Sequence, residues 1–594
     1  MKLFEGHSFH IPVLGVGYSI DTPINVAPYG ISSVISLVDD SLMEKMREFY
    51  CHKFDMPFKA ISKKVDDFRA KRITSYLNLV EDIVSQKFDE LKQSVAHAGS
   101  ELDKYIDMLP EASLLKQKFN IGEKGRKAAG DFSRWIHELL PVGSIDVNIM
   151  TKLDQVNQKN GEDLPIEYND AHAALRGFAN SKLSSSLVLS AGMSPRLYSY
   201  IENFEDFFPD ENGQIKKKII LKVSDFRSAL VQGKMLAAKG LWISEYRIES
   251  GVNCGGHAFP TGGVLFGPIL EEFKQNRDKL FETCIEVYYS ALEKKELPRP
   301  ATEPELNVTA QGGVGTSDEH NFLLDYYNMD SVGWGSPFML VPEVISIDKD
   351  TMNLLAEGKE KDYYFSGLSP LGVPFNSIKG ASMSVRRLAL AADGKAGTPC
   401  TKGFLRYNTE FTDEPICTAS RQYQTEKLKE LDALHLDKAE HEKAYNSIIE
   451  RECLCIGLGA STKISKDIKV AETEKVTVCP GPNLAYFSKI SSLKEMVDHI
   501  YGRANILDKM PRPHMFMKEM SMYLDLFKER VENFMQKADD NKEKKQLIKF
   551  QQNLFEGINY YKSLFNEKKQ EVLVELENLL GKYPVLNTKL DKAE

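Results

Sequence analysis

The segment from Glu249 to His257 has the residue types needed for proton transfer beside a flat ligand. Its sequence is ESGVNCGGH, and it follows the sixth apolar run of the chain. Paired glycines allow the backbone to approach a planar ligand closely, and the histidine that follows them would then lie over that ligand. An imidazole that titrates near neutral pH is a competent general base. We therefore predict that His257 is a catalytic base. The alternative is a hydrogen-bonded loop histidine without a chemical role.

Cys254 lies in the same segment, directly before the Gly-Gly-His sequence. A thiol at this position could donate a proton or act as a covalent nucleophile toward a bound substrate. The alternative is a small, buried apolar residue. We include Cys254 with His257 as a catalytic candidate.

Two glycine-rich stretches follow the seventh and eighth apolar runs. In β/α barrels, the loops after the last two strands commonly bind phosphate through backbone N–H groups. Glycine removes the Cβ that would block the phosphate oxygens, and a hydroxyl can donate a further hydrogen bond. One such stretch alone is typical of an ordinary turn, but two of them one βα unit apart predict a phosphate site. Its candidate residues are Gly312, Gly313, Gly315, Gly335 and Ser336.

Five of the eight cysteines lie between positions 400 and 479. Four thiolates can hold an iron–sulfur cluster that passes electrons to or from a second cofactor. The sequence therefore predicts a metal site formed by Cys400, Cys417, Cys453 and Cys455. Their spacing matches no Cys-x-x-Cys pattern, so zinc and ordinary reduced thiols remain alternatives.

Eight short apolar runs, most of them separated by helix-length spacers, must position these loops. Alternating strand and helix predicts a parallel α/β architecture, and eight repeats predict a (β/α)8 TIM barrel. An open doubly wound sheet is the structural alternative. The runs cover residues 9–16, 32–38, 144–150, 185–190, 218–223, 240–247, 306–310 and 331–334.

Additional segments interrupt and follow this barrel, which we expect to span residues 1–345. A helical insertion is predicted at about 41–140, an irregular cysteine-containing extension at 346–480, and a helical region at 481–594. In the last region, two apolar stripes at three- and four-residue steps predict a helical hairpin that serves core or dimer packing. The stripes comprise Phe516, Met520, Leu524, Phe527, Val531 and Phe534, and then Leu547, Phe550, Leu554, Ile558, Tyr561 and Phe565.

The composition narrows the class of protein. Of the 594 residues, 42% are hydrophobic and 27% charged, and 76 basic against 85 acidic side chains give a net charge of −9. An acidic chain is a poor partner for nucleic acid. No apolar run is long enough to span a membrane, and residues 1–10 do not resemble a secretory signal. We expect a soluble, cytoplasmic homo-oligomer with reduced thiols, which acts on a small molecule without nucleic-acid or membrane partners.

These motifs and their order resemble the nitronate monooxygenases (2-nitropropane dioxygenases) and the related FMN-dependent enoyl reductases. The resemblance covers roughly residues 9–40 and 140–345. The matching elements, in order, are the first-strand element Ile11–Gly15, the turn Gly192–Pro195, the base-bearing segment Gly255–His257, and the phosphate loops Gly312–Val314 and Gly335–Phe338.

The resemblance implies an FMN oxidoreductase. Gly15, Asn148 and Gly256 would contact the flavin, and the two glycine loops would hold its phosphate. Proton transfer by His257 would accompany hydride or electron transfer at the flavin.

Lys222, at the end of the fifth run, is an inferred flavin neighbour, because a cation beside the ring stabilises the reduced flavin anion. The alternative is that Lys222 pairs with a carboxylate such as Asp225.

The chain also departs from the family pattern. The insertion between the second and third strands is longer, Asn253-Cys254 replaces the usual Glu-Ala, and residues 345–594 have no counterpart in simple nitronate monooxygenases. The sequence therefore leaves open the substrate, the direction of the redox reaction and an electron-transfer partner. Two other function classes remain as alternatives. One is a lyase or isomerase that binds a phosphorylated metabolite in the same loops, and the other is a non-enzymatic scaffold.

Overall fold

Eight parallel strands close into a barrel in the computed structural model, which describes residues 6–94, 100–124, 139–159, 161–251, 255–258, 261–300, 302–470, 473–507, 511–536 and 541–587. Each strand pairs with the next along the chain, β1 pairs with β8, and a parallel bridge between Ile11 and Ser33 closes the ring. The closure confirms the predicted (β/α)8 barrel and excludes an open sheet. The strands are β1 Phe9–His10, β2 Ser33–Ser36, β3 Ile145–Ile149, β4 Ser185–Leu189, β5 Lys217–Val223, β6 Ile243–Glu249, β7 Asn307–Gln311 and β8 Ser331–Gly333.

Alternate residues of these strands point to opposite sides of the barrel wall. Val34, Val188 and Ile220 form a small apolar cluster of their own, separate from the main core between the strands and the helices. On the same inner side, Arg247 pairs with Glu245 at 2.8 Å. The barrel interior is therefore partly polar below the functional loops, while the opposite strand faces pack against helices.

The helices that alternate with the strands pack around this wall. Asp225 begins one of them, because its carboxylate accepts a 2.7 Å hydrogen bond from Ser228 N–H, which satisfies a donor of the first turn. These helices are Thr22–Val26, Asp170–Ala179, Pro195–Ile201, Phe226–Ala237, Phe266–Lys294 and Ser317–Asp325.

The insertion between β2 and β3 is helical, as predicted, in the parts that the structure describes. Its first helix starts at Asp39, whose carboxylate accepts from Leu42 N–H. Arg69 and Arg72 both pair with the buried Asp40, at 3.0 and 2.8 Å, and fasten the second helix to the first. The helices are Asp40–Lys53, Phe68–Gln93, Glu101–Met108 and Leu114–Lys124.

The cysteine-containing extension is more regular than the sequence suggested. An antiparallel hairpin pairs β9 Tyr363–Ser366 with β10 Phe375–Ile378. Side-chain caps at Asp348, Ser420 and Asp437 begin three of its helices, and such local signals are hard to distinguish from turns in a Gly- and Pro-rich segment. The helices are Lys349–Glu357, Ser382–Ala392, Arg421–Ala433, Lys438–Ile449 and Leu454–Ser465.

The C-terminal region is a helical hairpin with two flanking helices, as the apolar stripes predicted. Phe516 stacks on Tyr561, with ring centroids 5.2 Å apart, and Phe527 stacks on Phe550 at 5.6 Å. The stripes are therefore buried within this chain, and self-association stays a prediction. Among the described helices, none is long and apolar enough to cross a membrane. The helices are Leu493–Ile500, Met515–Gln536, Asn541–Lys568 and Gln570–Leu580.

Candidate active site

A cavity of about 390 Å³ opens where the barrel strands end. This volume lies within the range of small-molecule sites, about 300–1,000 Å³. Predicted site residues that line it are Gly15 after β1, Lys222 at the end of β5, and Gly256 and His257 after β6. The extension contributes apolar side chains to the lining: Leu371, Phe375, Phe404, Leu405, Leu454 and Leu458.

His257 is held in the cavity wall by the extension. It forms an antiparallel bridge with Phe375 of β10, and the two rings meet edge to face with centroids 5.0 Å apart. His257 Nε2 and Ser369 Oγ are hydrogen-bonded at 2.7 Å. The sequence did not reveal Ser369 or Phe375, because both lie more than 100 positions from His257 and no local pattern marks such a contact.

The backbone at Gly256 favours glycine, because its φ of +70° lies in the left-handed region. A Cβ added there would meet nothing within 4 Å and would point into open space. Its N–H donates to the Cys479 carbonyl at 3.2 Å, and its carbonyl accepts from Asn376 N–H at 2.9 Å. The glycine therefore forms part of the cavity wall and leaves that space to a ligand.

Lys222 lies on the wall and pairs with Glu249 of β6 at 3.1 Å. The sequence offered pairing with a carboxylate such as Asp225 as the alternative. The partner is a carboxylate, but it is Glu249, and Asp225 caps the helix Phe226–Ala237. Glu249 also accepts a hydrogen bond from the Gln311 amide. The Lys222 ammonium thus borders the cavity while Glu249 balances its charge. A place beside a bound ligand and an ion pair with a carboxylate are therefore compatible roles for Lys222.

Asn148 Oδ1 on β3 and Gln311 Oε1 on β7 are enclosed oxygens that lack a hydrogen bond of ordinary geometry among the described residues. Gln311 lines the cavity, whereas Asn148 is 1% exposed and is not among the lining residues. The Gln311 oxygen lies beside the buried His10 imidazole. It is therefore not an acceptor that is open to a ligand in the cavity.

The loops after β7 and β8 lie side by side, as predicted, because Gln311 pairs with Gly333 in the barrel. Gly312 and Gly313 have φ angles of +122° and +80°, which only glycine adopts readily. The free space above them is about 10 Å³ and is bounded by Met515 and Glu519 of the helix Met515–Gln536. This space holds about one water molecule at most.

Two of the remaining phosphate-loop candidates have protein partners. Gly315 N–H donates to Glu319 at 2.9 Å, and Ser336 Oγ accepts from Gly481 N–H at 2.7 Å. Gly335 is buried at the start of the short turn Ser336–Leu340. One expected phosphate donor, the Gly315 N–H, is thus engaged by the chain.

A buried ion pair lies beside these loops. Arg512 and Glu319 meet at 2.7 Å with side chains 6% and 3% exposed. Arg512 also donates to the Gly313 carbonyl and to Asn483 Oδ1, each at 2.7 Å. Burial raises the pKa of Glu319, but the Arg512 charge outweighs it, and the pKa lies below its ordinary value. The sequence marked neither residue, because their roles depend on a contact across 193 positions.

Glu519 is a second buried carboxyl at this place, and no cationic side chain in the described part of the chain pairs with it. It accepts hydrogen bonds from Ser250 Oγ at 2.7 Å and from Phe266 N–H at 2.9 Å. Burial raises the pKa of Glu519 to about 7, against the opposing effect of these bonds. Its carboxyl borders the small space above Gly312 and Gly313.

The cavity fits the planar ring of a flavin, whereas the two glycine loops as they stand do not fit its phosphate. For the ring, the volume is sufficient, and a Cβ at Gly192 or Gly256, both on the wall, would meet nothing within 4 Å. For the phosphate, the space of about 10 Å³ is too small. Phosphate binding at the loops would require the first turn of the helix Met515–Gln536 to withdraw.

Within the described ranges, no group of three or more His, Cys, Asp or Glu side chains is arranged to hold a metal ion. The predicted metal site at Cys400, Cys417, Cys453 and Cys455 is therefore not supported by the described side chains, either for an iron–sulfur cluster or for zinc. These four cysteines are free thiols, of which Cys400 is exposed and the other three are buried. Cys254, the other cysteine candidate, lies outside the described residues.

No protein-family model and no curated protein matches the chain. Among solved structures, FabK from Thermotoga maritima is similar at 12% identity and a TM-score of 0.31, over 62% of this chain and 79% of that one. The enoyl reductase domain of MlnA, from the macrolactin biosynthesis cluster of Bacillus amyloliquefaciens, is similar at 14% identity and a TM-score of 0.33, over 68% and 86%. Similarity at this level identifies neither a substrate nor a cofactor.

Proposed function

We propose that this chain is a flavin-dependent oxidoreductase whose flavin ring lies in the cavity at the barrel mouth. The observation that carries the proposal is the cavity itself. It has ring-sized space of about 390 Å³, and its lining includes His257, Lys222 and Gln311. When bound, the flavin supplies hydride or electron transfer.

The Lys222 ammonium would stabilise the reduced ring. It is balanced by Glu249 at 3.1 Å, and it stabilises negative charge that develops next to it. The site therefore favours a ligand that gains negative charge on reduction.

His257 would hold the proton that is exchanged with the substrate, or transfer it. Its Nε2 shares a hydrogen bond with Ser369 Oγ, and Phe375 fixes the ring by an edge-to-face contact. Positioned general acids and bases contribute about 10²- to 10⁴-fold to a rate. Ser369 and Phe375 act through His257 and are positioning residues.

The apolar part of the lining suggests the substrate class. It is formed by aliphatic and aromatic side chains of the extension, among them Leu371, Phe404 and Leu458. An apolar lining beside a proton donor and a hydride donor suits an α,β-unsaturated acyl compound, which takes a hydride at one carbon and a proton at the next. We propose enoyl reduction as the first activity to assay, with nitronate oxidation second.

The proposal is tested with the freshly purified full-length protein. We expect the visible absorption of an oxidised flavin, and mass spectrometry should identify the ligand released by heat. His257→Ala should keep this chromophore and reduce turnover about 10²-fold or more. His441→Ala is the matched control, because His441 is an exposed histidine paired with Asp432, and it should leave both properties unchanged. A colourless protein that does not take up flavin would refute the proposal.

The other function classes make different predictions. A lyase or isomerase for phosphorylated metabolites depends on the two glycine loops, where the free space is about 10 Å³. A scaffold predicts neither a chromophore nor an effect of His257→Ala. The size of the cavity at the strand ends favours the flavin over both.

A further inference from the structure

The glycine loop after β7 is packed against other parts of the chain at the place where a phosphate was expected. A Cβ added at Gly312 would lie 2.7 Å from the Ser250 side chain, and one added at Gly315 would lie 2.6 Å from the Arg512 guanidinium. The room that these two glycines provide is therefore taken by side chains of this protein. Close packing accounts for both glycines without a bound anion.

Arg512 is the basic side chain that packs on this loop, and the chain engages each of its three nitrogens. Nε donates to Asn483 Oδ1, Nη1 donates to Glu319, and Nη2 donates to the Gly313 carbonyl, each at 2.7 Å. Arginine is well suited to bind phosphate because its guanidinium offers several donors in one plane. Here those donors hold the loop and a carboxylate.

Two buried carboxyls accept hydrogen bonds of the kind that a phosphate would accept. Glu319 accepts from Gly315 N–H at 2.9 Å. Glu519 accepts from Ser250 Oγ at 2.7 Å and from Phe266 N–H, at the start of a helix, at 2.9 Å. Backbone N–H groups at the start of a helix are common donors to bound anions. The side chain of Glu519 thus occupies an anion site within the fold.

The space that remains between Glu519 and the loop has the size of a hydroxyl group. Its volume is about 10 Å³, which is enough for about one water molecule. Ser250 lines both this space and the flavin-sized cavity, and Gln311 of the cavity directly precedes Gly312. A side chain attached to a ring in the cavity therefore has room here to end in a hydroxyl but not in a phosphate.

We propose that the carboxyls of Glu519 and Glu319 take the place of a cofactor phosphate, so that the cavity selects riboflavin over FMN. This inference rests on the proposed flavin function. The two flavins have the same ring and differ at the end of the side chain, where riboflavin has a hydroxyl and FMN a phosphate. The hydroxyl can donate to the Glu519 carboxylate, whereas a phosphate brings close to two negative charges toward both carboxyls.

The test is a fluorescence titration of flavin-free, full-length protein with riboflavin, FMN and lumiflavin, which has the ring without the side chain. It is done at pH 8, above the Glu519 pKa of about 7, so that this carboxyl is charged. We expect riboflavin to bind about tenfold or more tightly than FMN. FMN that binds as tightly as riboflavin would overturn the inference and leave the proposed function intact. Failure of all three flavins to bind would overturn both.

Variants of Glu519 test its part in the selection. Glu519→Gln removes the charge and keeps the shape, and Glu519→Ala also opens space. The preference for riboflavin should fall about threefold or more in the first variant and further in the second. Glu529→Gln is the matched control, because Glu529 is an exposed carboxyl on the same helix, and it should keep the wild-type preference.

The affinity for lumiflavin shows whether the ring site is intact in each variant, because lumiflavin has no side chain to reach Glu519. Glu519→Gln guards against failure to fold, since it changes neither the size nor the shape of the side chain much. An unchanged preference for riboflavin in a Glu519→Gln protein that binds lumiflavin normally would overturn the role of Glu519.

Discussion

The buried carboxyl of Glu519 makes the stability of this protein depend on pH in a defined way. Its pKa is raised to about 7 in the folded chain, chiefly by burial, from an ordinary 4.5. As pH rises from about 4.5 to 7, the unfolded chain loses this proton while the folded chain retains it. Stability contributed at this position is therefore present below pH 4.5 and is lost as pH rises to about 7.

The difference between the two pKa values corresponds to about 3 kcal/mol, at about 1.4 kcal/mol for each pH unit. Glu519→Gln removes the titration and keeps a similar shape. Between pH 4.5 and pH 7, the free energy of unfolding of the variant should rise by about 3 kcal/mol relative to that of wild type. Above pH 7, the difference between the two free energies should stay constant. A chain of this length should show a change of about 2 °C in the difference between the two melting temperatures.

The assay is thermal unfolding of wild type and Glu519→Gln at several pH values between 4 and 8, at one scan rate. The relevant quantity is how the difference between the two melting temperatures changes with pH. A hydrogen bond lost from Ser250 or Phe266 would shift that difference by the same amount at every pH. If the difference between the two melting temperatures does not vary between pH 4.5 and 7, Glu519 is solvated or charged in the folded chain and the reasoning is refuted.

Three further predictions concern the site and its support. Gly192→Leu should fold normally, because a Cβ at Gly192 meets nothing within 4 Å. The added side chain should weaken flavin binding about tenfold or more in a fluorescence titration, and an unchanged affinity would place the ring elsewhere. Arg512→Met should lower the free energy of unfolding in urea by about 3–5 kcal/mol, because Glu319 is left buried without its partner. An unchanged free energy of unfolding would mean that Glu319 becomes protonated without cost. Ser369→Ala should lower kcat and alter its pH profile while it leaves the visible spectrum intact; loss of the spectrum instead would assign Ser369 a role in ligand binding.

The barrel was predictable from sequence because its signal is local and repeated. Each of the eight apolar runs became a strand that begins or ends within a few residues of the expected position, such as β4 at Ser185–Leu189. Glycines after β6 and β7 were also informative, since Gly256 and Gly313 have positive φ angles that other residues rarely adopt.

The surroundings of the site were not predictable in the same way. Ser369 and Phe375 of the extension reach His257 because the extension folds back over the barrel mouth, and Glu519 of the C-terminal helix Met515–Gln536 reaches Ser250. Contacts across more than 100 positions leave no periodic trace in a single sequence. The same C-terminal helix leaves only about 10 Å³ above the glycine loops, which is too little for the expected phosphate.

The most direct measurement is the visible absorption spectrum of the freshly purified full-length protein, followed by mass spectrometry of the compound released on denaturation. Our account predicts a yellow protein that releases a flavin and is bleached by dithionite. A colourless protein that fails to bind added FMN or riboflavin would contradict it, since the cavity between His257, Lys222 and Gln311 would then serve some other ligand.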